Sequence, residues 1–139
     1  MAAGIWSCPS FNELTRDGQD VERWNLLHPT EKPRTAFVTE QLAKTTGPVI
    51  ASTDYMKNYA EQIRPFVPKD RTYKVLGTDG FGRSDNRANL RQFFEVDQHS
   101  IVLAALKSLV DHDGLDAGIL AEAIGRYRPD PSRSAPWDR

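Results

Sequence analysis

The residues of this chain best able to do chemistry are a glycine-rich run, three scattered histidines and one cysteine. The run is Gly77-Thr78-Asp79-Gly80-Phe81-Gly82. It follows an apolar segment and precedes a helix-start signal, so free backbone amides there can hold an anion. Its spacing is not that of a dinucleotide fingerprint, and no Walker lysine follows it. The plainer reading is a tight turn pressed against neighbouring protein. His28, His99 and His112 have no partners at metal-ligand spacing. His28 precedes Pro29 and suits a helix end, His99 lies in a first helical turn, and His112 lies near a helix end, where positive charge is favoured. None reads as catalytic or as a metal ligand. Cys8 can form no internal disulfide and no cysteine cluster. It reads as a small buried residue on a strand.

These residues must be positioned by the elements around them. Ile5 to Pro9 reads as a short strand. Ser10-Phe11-Asn12-Glu13 has the form of a capping box, so a helix starts near Phe11. Val21, Trp24 and Leu27 carry that helix past Gly18 toward His28, and Pro29 stops it. Thr35 is placed to cap a second helix holding Val38 and Leu42, ended by Gly47 and Pro48. Val49 to Ser52 suits a buried strand. Thr53 or Asp54 is expected to cap the next helix, where Met56, Tyr59, Ala60 and Ile63 share a face. Tyr73 to Leu76 reads as a third strand, and the glycine loop follows it. Ser84 and Asp85 mark another helix, with Leu90, Phe93 and Phe94 inward. Asp97 caps a helix with Val102, Leu106 and Leu109. Asp116 caps the last helix, with Ile119, Leu120, Ala123, Ile124 and Tyr127 as its apolar stripe. Asp54 with Lys57 and Glu61 with Arg64 read as surface pairs, each contributing a few tenths of a kcal/mol, roughly. Trp6 and Trp24 read as core or subunit-contact residues.

Strands that alternate with helices imply an α/β fold: three layers, with a mostly parallel sheet flanked by helices. Right-handed crossovers should join the strands. The 139 residues suit one domain, expected over residues 1–127. The tail over 128–139 has three prolines and five charges and reads as mobile. The apolar share is 39%, the charged share 27% and the formal net charge -1. A nearly neutral chain lacks the basic field that broad nucleic-acid binding requires. No apolar run approaches the ~20 residues that cross a bilayer, and Met1 to Gly4 is not the start of a secretory signal. The expected location is the cytoplasm.

Three stretches together resemble one family. The first runs from Ser10-Phe11-Asn12-Glu13-Leu14 through Arg16-Asp17-Gly18-Gln19-Asp20 to Glu22-Arg23-Trp24-Asn25 and His28-Pro29. The second is Gly47-Pro48-Val49-Ile50-Ala51 with Thr53-Asp54-Tyr55-Met56-Lys57 and Glu61-Gln62-Ile63-Arg64. The third is Leu76-Gly77-Thr78-Asp79-Gly80-Phe81-Gly82-Arg83-Ser84-Asp85, leading to Arg91 and Phe94. In this order and spacing they resemble the carboxy-terminal, transketolase-like domain of the homodimeric pyruvate dehydrogenase decarboxylating component, over roughly residues 4 to 127. The resemblance implies a parent enzyme that uses thiamine diphosphate and Mg2+, decarboxylates pyruvate and passes the acetyl unit to a lipoyl group. It also implies partners: the remainder of the parent chain, a second subunit, and the dihydrolipoyl acetyltransferase component.

The family's cofactor signature is a Gly-Asp-Gly run with an Asn-rich end about thirty residues later. Here Thr78-Asp79-Gly80 is the nearest text, and Lys107-Ser108-Leu109 with Asp111-His112-Asp113 lacks the required amides. Neither catalytic nor cofactor- or metal-binding residues are therefore expected in this chain, which should be inactive alone. Relative to the family, the opening strand and helix of the domain are expected to be missing. That leaves sheet edge and apolar surface exposed, with marginal stability or association in isolation. The resemblance makes Gly77, Asp79, Gly80, Phe81, Gly82 and Arg83 an interdomain or subunit-interface loop. Two alternatives stand beside this reading: a docking module for the subunit-binding domain of the acetyltransferase, and a free-standing anion binder that uses the 77–82 loop.

Overall fold

The computed structural model describes residues 3–138. Ser10 starts the first helix as its sequence signal requires: its hydroxyl accepts from the Glu13 amide at 3.2 Å. Helix α1 then runs Phe11–Leu27. The Glu13 carboxylate turns outward to Arg16, 2.7 Å away. After α2 (Phe37–Leu42) come β1 (Val49–Ser52), α3 (Lys57–Glu61), a 3-10 turn (Arg64–Phe66) and β2 (Tyr73–Leu76). Then follow α4 (Arg87–Phe93), α5 (Gln98–His112), α6 (Ala117–Tyr127) and a last 3-10 turn (Pro136–Asp138).

The two strands pair in parallel, with Val49 opposite Tyr73 and Ser52 opposite Leu76. Helices flank this small sheet, which gives the expected α/β arrangement. The core gathers Val38 and Leu42 of α2, Ala60 of α3, Ile63, Phe66 and Val67 beyond it, and Tyr73 and Val75 of β2. Phe11 and Leu14 of α1 pack against it. Burying such side chains stabilises by roughly 1.5–3 kcal/mol each. The Tyr73 hydroxyl is buried and donates to the Ala60 carbonyl at 2.7 Å. Burial holds that phenol's pKa above its ordinary value.

Several local expectations fail, each for a physical reason. Ile5 to Pro9 is not a strand. A strand needs a hydrogen-bonding neighbour, and β1 and β2 pair only with each other among the described residues. Ile5 is 97% exposed, Cys8 is an exposed free thiol rather than a buried one, and Trp6 is exposed, so of its two readings the core one fails and the subunit-contact one stays open. Thr35 does not cap α2. The Asp17 carboxylate, twenty residues upstream, accepts from the Phe37 amide at 2.6 Å. Neither Thr53 nor Asp54 caps α3, whose first amide is taken by Asp79. Asp54 does not pair with Lys57 but with Arg91, at 2.7 Å. The expected Glu61–Arg64 pair is present at 2.7 Å. The α4 cap is Asn86, whose side chain accepts from the Asn89 amide at 3.0 Å. Asp97 and Asp116 cap α5 and α6 as their signals require.

The tail is folded back over the domain. Pro136 is buried, and Arg133 lies 5.9 Å from the Phe93 ring centroid.

Candidate functional site

The glycine loop leaves β2 at Leu76 and is tied at once to the segment that follows β1. The Thr53 amide donates to the Leu76 carbonyl at 3.0 Å, which extends the parallel pairing by one rung. The Thr78 amide donates to the Tyr55 carbonyl at 2.9 Å, and its hydroxyl to the Asp54 carbonyl at 3.2 Å. Gly77 is required by this approach: a Cβ there would stand 2.8 Å from the Lys57 amide nitrogen and 2.8 Å from the Tyr55 carbonyl oxygen. Asp79 completes the joint. Its Oδ1 accepts from the Lys57 amide at 3.0 Å, and its Oδ2 faces the Lys57 ammonium at 3.6 Å.

That geometry decides what the loop can do. An anion attracted to the start of α3 would meet the Asp79 carboxylate already bonded to the Lys57 amide, so that amide is taken. Beyond Asp79 the chain turns outward through Gly80, whose φ of 108° disfavours any residue with a side chain. Phe81 then stands 84% exposed. The Arg83 guanidinium lies over the Phe93 ring, 4.9 Å from its centroid. Of the six loop residues singled out from the sequence, Gly77 and Asp79 are drawn into the joint with α3. Gly80, Phe81, Gly82 and Arg83 form its exposed rim.

The histidines stay apart. His28 ends α1, with Nδ1 2.8 Å from the Trp24 carbonyl oxygen and its ring stacked on Trp24 at 4.3 Å. His99 stacks on Tyr127 at 4.5 Å and lies 3.8 Å from Asp97. His112 closes α5. Among the described residues no group of three or more His, Cys, Asp or Glu side chains converges where a metal ion could sit. No described helix is long and apolar enough to cross a membrane.

Three arrangements escaped sequence reasoning. Arg71 donates from all its guanidinium nitrogens to the turn after α2: to the carbonyls of Leu42 at 2.7 Å, Thr46 at 3.1 Å and Gly47 at 2.6 Å, and to the Thr45 hydroxyl at 2.8 Å. The Arg91 guanidinium grips both oxygens of Asp54, at 2.7 and 3.2 Å. That hydrogen bonding holds the Asp54 carboxyl below its usual pKa. Trp137 lies under the Lys57 ammonium, 4.6 Å from its ring centroid. All three link segments more than 20 residues apart, and no local spacing announces them.

The family model described as Transketolase-like TK C-terminal domain matches residues 1–97. Curated relatives match nearly end to end along this chain. A protein of Pseudomonas aeruginosa named "Pyruvate dehydrogenase E1 component" is 59% identical over 138 residues, which are 99% of this chain and 16% of that protein. Proteins with the same name in Cupriavidus necator and Escherichia coli K12 are 59% and 48% identical, over 95% and 98% of this chain and 14% and 15% of theirs. The chain thus spans about a sixth of the length of the curated relatives it matches.

Proposed function

Because this chain belongs to the family of transketolase-like C-terminal domains, we propose that it is the carboxy-terminal structural and dimer-forming part of a thiamine diphosphate-dependent pyruvate dehydrogenase E1 component. The observation that carries the reading is an identity of 59% along almost the whole chain to proteins so named, in which the matched stretch is only 16% and 14% of the length. In such a parent, pyruvate is decarboxylated and the acetyl unit passes to a lipoyl group of the acetyltransferase component. The setting is the cytoplasm, and the immediate partners are the remainder of the parent chain and a second subunit.

The chain's own part in this is positional. Thiamine diphosphate supplies the electron sink when bound, with Mg2+ on its diphosphate. The described residues do not fit that group. Asp79 is the one carboxylate in the run closest to a diphosphate-binding signature, and its two oxygens face the amide and the ammonium of Lys57. On this reading no step of the reaction falls to this chain. Residues 1–127 act as a wall for the domains that hold the coenzyme, the 77–83 loop meets a neighbouring surface, and residues 128–139 are an appended tail.

The test is an exchange. Replace the matching segment of the Pseudomonas aeruginosa relative with this chain and assay pyruvate-dependent reduction of an artificial acceptor. The exchanged protein is expected to assemble and turn over within a few-fold of its parent. A soluble exchanged protein that neither assembles nor turns over would sink the reading.

A further inference from the structure

Aspartate followed by glycine is prone to an internal reaction, because glycine leaves its amide nitrogen unshielded and its backbone free to turn toward the preceding carboxyl. The chain holds three such pairs: Asp17-Gly18, Asp79-Gly80 and Asp113-Gly114. The fold treats them differently. The first lies inside α1, where Gly18 is buried and the Asp17 Oδ2 accepts from the Phe37 amide at 2.6 Å. In the second, Lys57 holds both oxygens of Asp79, and a Cβ at Gly80 would stand 2.9 Å from the Trp137 Cα. Neither carboxyl can swing onto the following amide without breaking those contacts. The third pair forms the turn between α5 and α6, and both of its residues are exposed. Among the described residues the Asp113 carboxylate has no hydrogen bond or ion pair. Gly114 has a φ of 70°, its amide donates to no backbone carbonyl among the described residues, and a Cβ there would meet nothing within 4 Å.

We propose that Asp113 is a site of spontaneous covalent modification: in the folded chain its bond to Gly114 isomerises to isoaspartate, while the other two pairs are held back. The Gly114 amide nitrogen attacks the Asp113 Cγ. The amide proton and the hydroxyl of the protonated carboxyl leave as water, and a five-membered succinimide closes. Water then reopens the ring. Addition at Cγ restores aspartate, and addition at the α-carbonyl leaves the chain running through Cβ as isoaspartate. One water leaves and one returns, so the mass is unchanged and no oxidant or other co-reactant takes part. The inference is independent of the E1 reading and rests on this turn alone. Its local consequence follows from the bonds on either side. The Asp113 and Leu115 amides both donate to the Leu109 carbonyl, at 2.9 and 3.2 Å. An extra backbone carbon between them pulls that pair apart. Helix α6 has no buried residue and is held at its far end by the stack of Tyr127 on His99, so it is the element that loosens first.

Prolonged warm incubation of the 139-residue chain at neutral pH tests this, with isoaspartate placed by electron-transfer dissociation of its peptides. In the folded chain isoaspartate is expected at residue 113 at least about tenfold faster than at 17 or 79, whose reaction waits for local opening. In guanidinium chloride the three rates should converge, because the dipeptide is the same. No isoaspartate at 113, or formation at 17 or 79 as fast as at 113 in the folded chain, overturns the proposal. A preference for 113 that persists undiminished in denaturant also overturns it, since flanking sequence rather than the fold would then set the rate. Asp113→Glu, whose carboxyl would have to close a larger ring, is expected to lose the signal at 113 and to keep the melting temperature. Aged wild-type chain should exchange amide hydrogens faster over 115–127 than fresh chain, with 11–27 unchanged and with no such ageing in Asp113→Glu. Equal exchange over 115–127 before and after isomerisation overturns the loosening of α6.

Discussion

Replacing Gly18 by Ala in the middle of α1 would ordinarily stabilise the helix by about 1 kcal/mol. Here it should do the opposite. The new Cβ would lie 2.5 Å from three carbons of the Phe66 ring. That ring cannot step aside cheaply: Phe66 is only 8% exposed, and its carbonyl accepts from the Thr39 hydroxyl at 2.6 Å. Overpacking of this kind costs about 1–3 kcal/mol, so set against the propensity gain the net loss is about 0–2 kcal/mol, and the clash with three ring carbons places it toward the upper end. The same change at Gly125 in α6 is the control, because nothing lies within 4 Å of its Cβ. It should stabilise by about 0.5–1 kcal/mol. Thermal melts followed by circular dichroism read both, at about 3–4 °C per kcal/mol for a domain of this size. Phe66→Leu combined with Gly18→Ala should then cost less than the sum of the two single changes. If Gly18→Ala raises the melting temperature as much as Gly125→Ala does, the packing of α1 on the 3-10 turn is wrong.

Arg71→Ala should cost about 2–3 kcal/mol in urea unfolding, since several acceptors after α2 lose a charged donor, and Arg71→Lys should recover little because an ammonium lacks the fork. Tyr73→Phe removes the donor to the Ala60 carbonyl and should cost about 1 kcal/mol at neutral pH. The raised phenol pKa adds a sign: the unfolded phenol ionises first, so the wild-type chain loses stability as pH rises above about 10. The Tyr73→Phe variant should show a shallower alkaline limb, and an unchanged limb would contradict the burial of the hydroxyl. The Asp54 carboxyl should titrate below the ordinary carboxylate range by NMR and return to it in Arg91→Gln. Because its folded pKa is depressed, the contribution of the pair is present above the unfolded value and lost as pH falls through the folded one.

The parts of this fold legible in the sequence are those fixed within a few residues of themselves. Ser10, Asp97 and Asp116 cap their helices through bonds to amides two or three residues on, so their types and spacing sufficed. The strands Val49–Ser52 and Tyr73–Leu76 were legible as short apolar runs between breakers. What failed depended on distant partners. The starts of α2 and α3 are held by Asp17 and Asp79, across 20 and 22 residues. The apolar run at Ile5 has the composition of a strand but no strand to pair with among the described residues, and Cys8 stays exposed with it. Of the candidate site, the sequence offered the glycine loop but not its closure on Lys57, nor the Trp137 that comes from 57 residues beyond Gly80.

We propose that these residues support a reaction performed elsewhere. Turnover by the isolated 139-residue chain tests it directly, with pyruvate, thiamine diphosphate, Mg2+ and an artificial electron acceptor. No pyruvate-dependent reduction above the protein-free rate is predicted. Reduction that scales with the chain's concentration and disappears on omitting the coenzyme would contradict the claim.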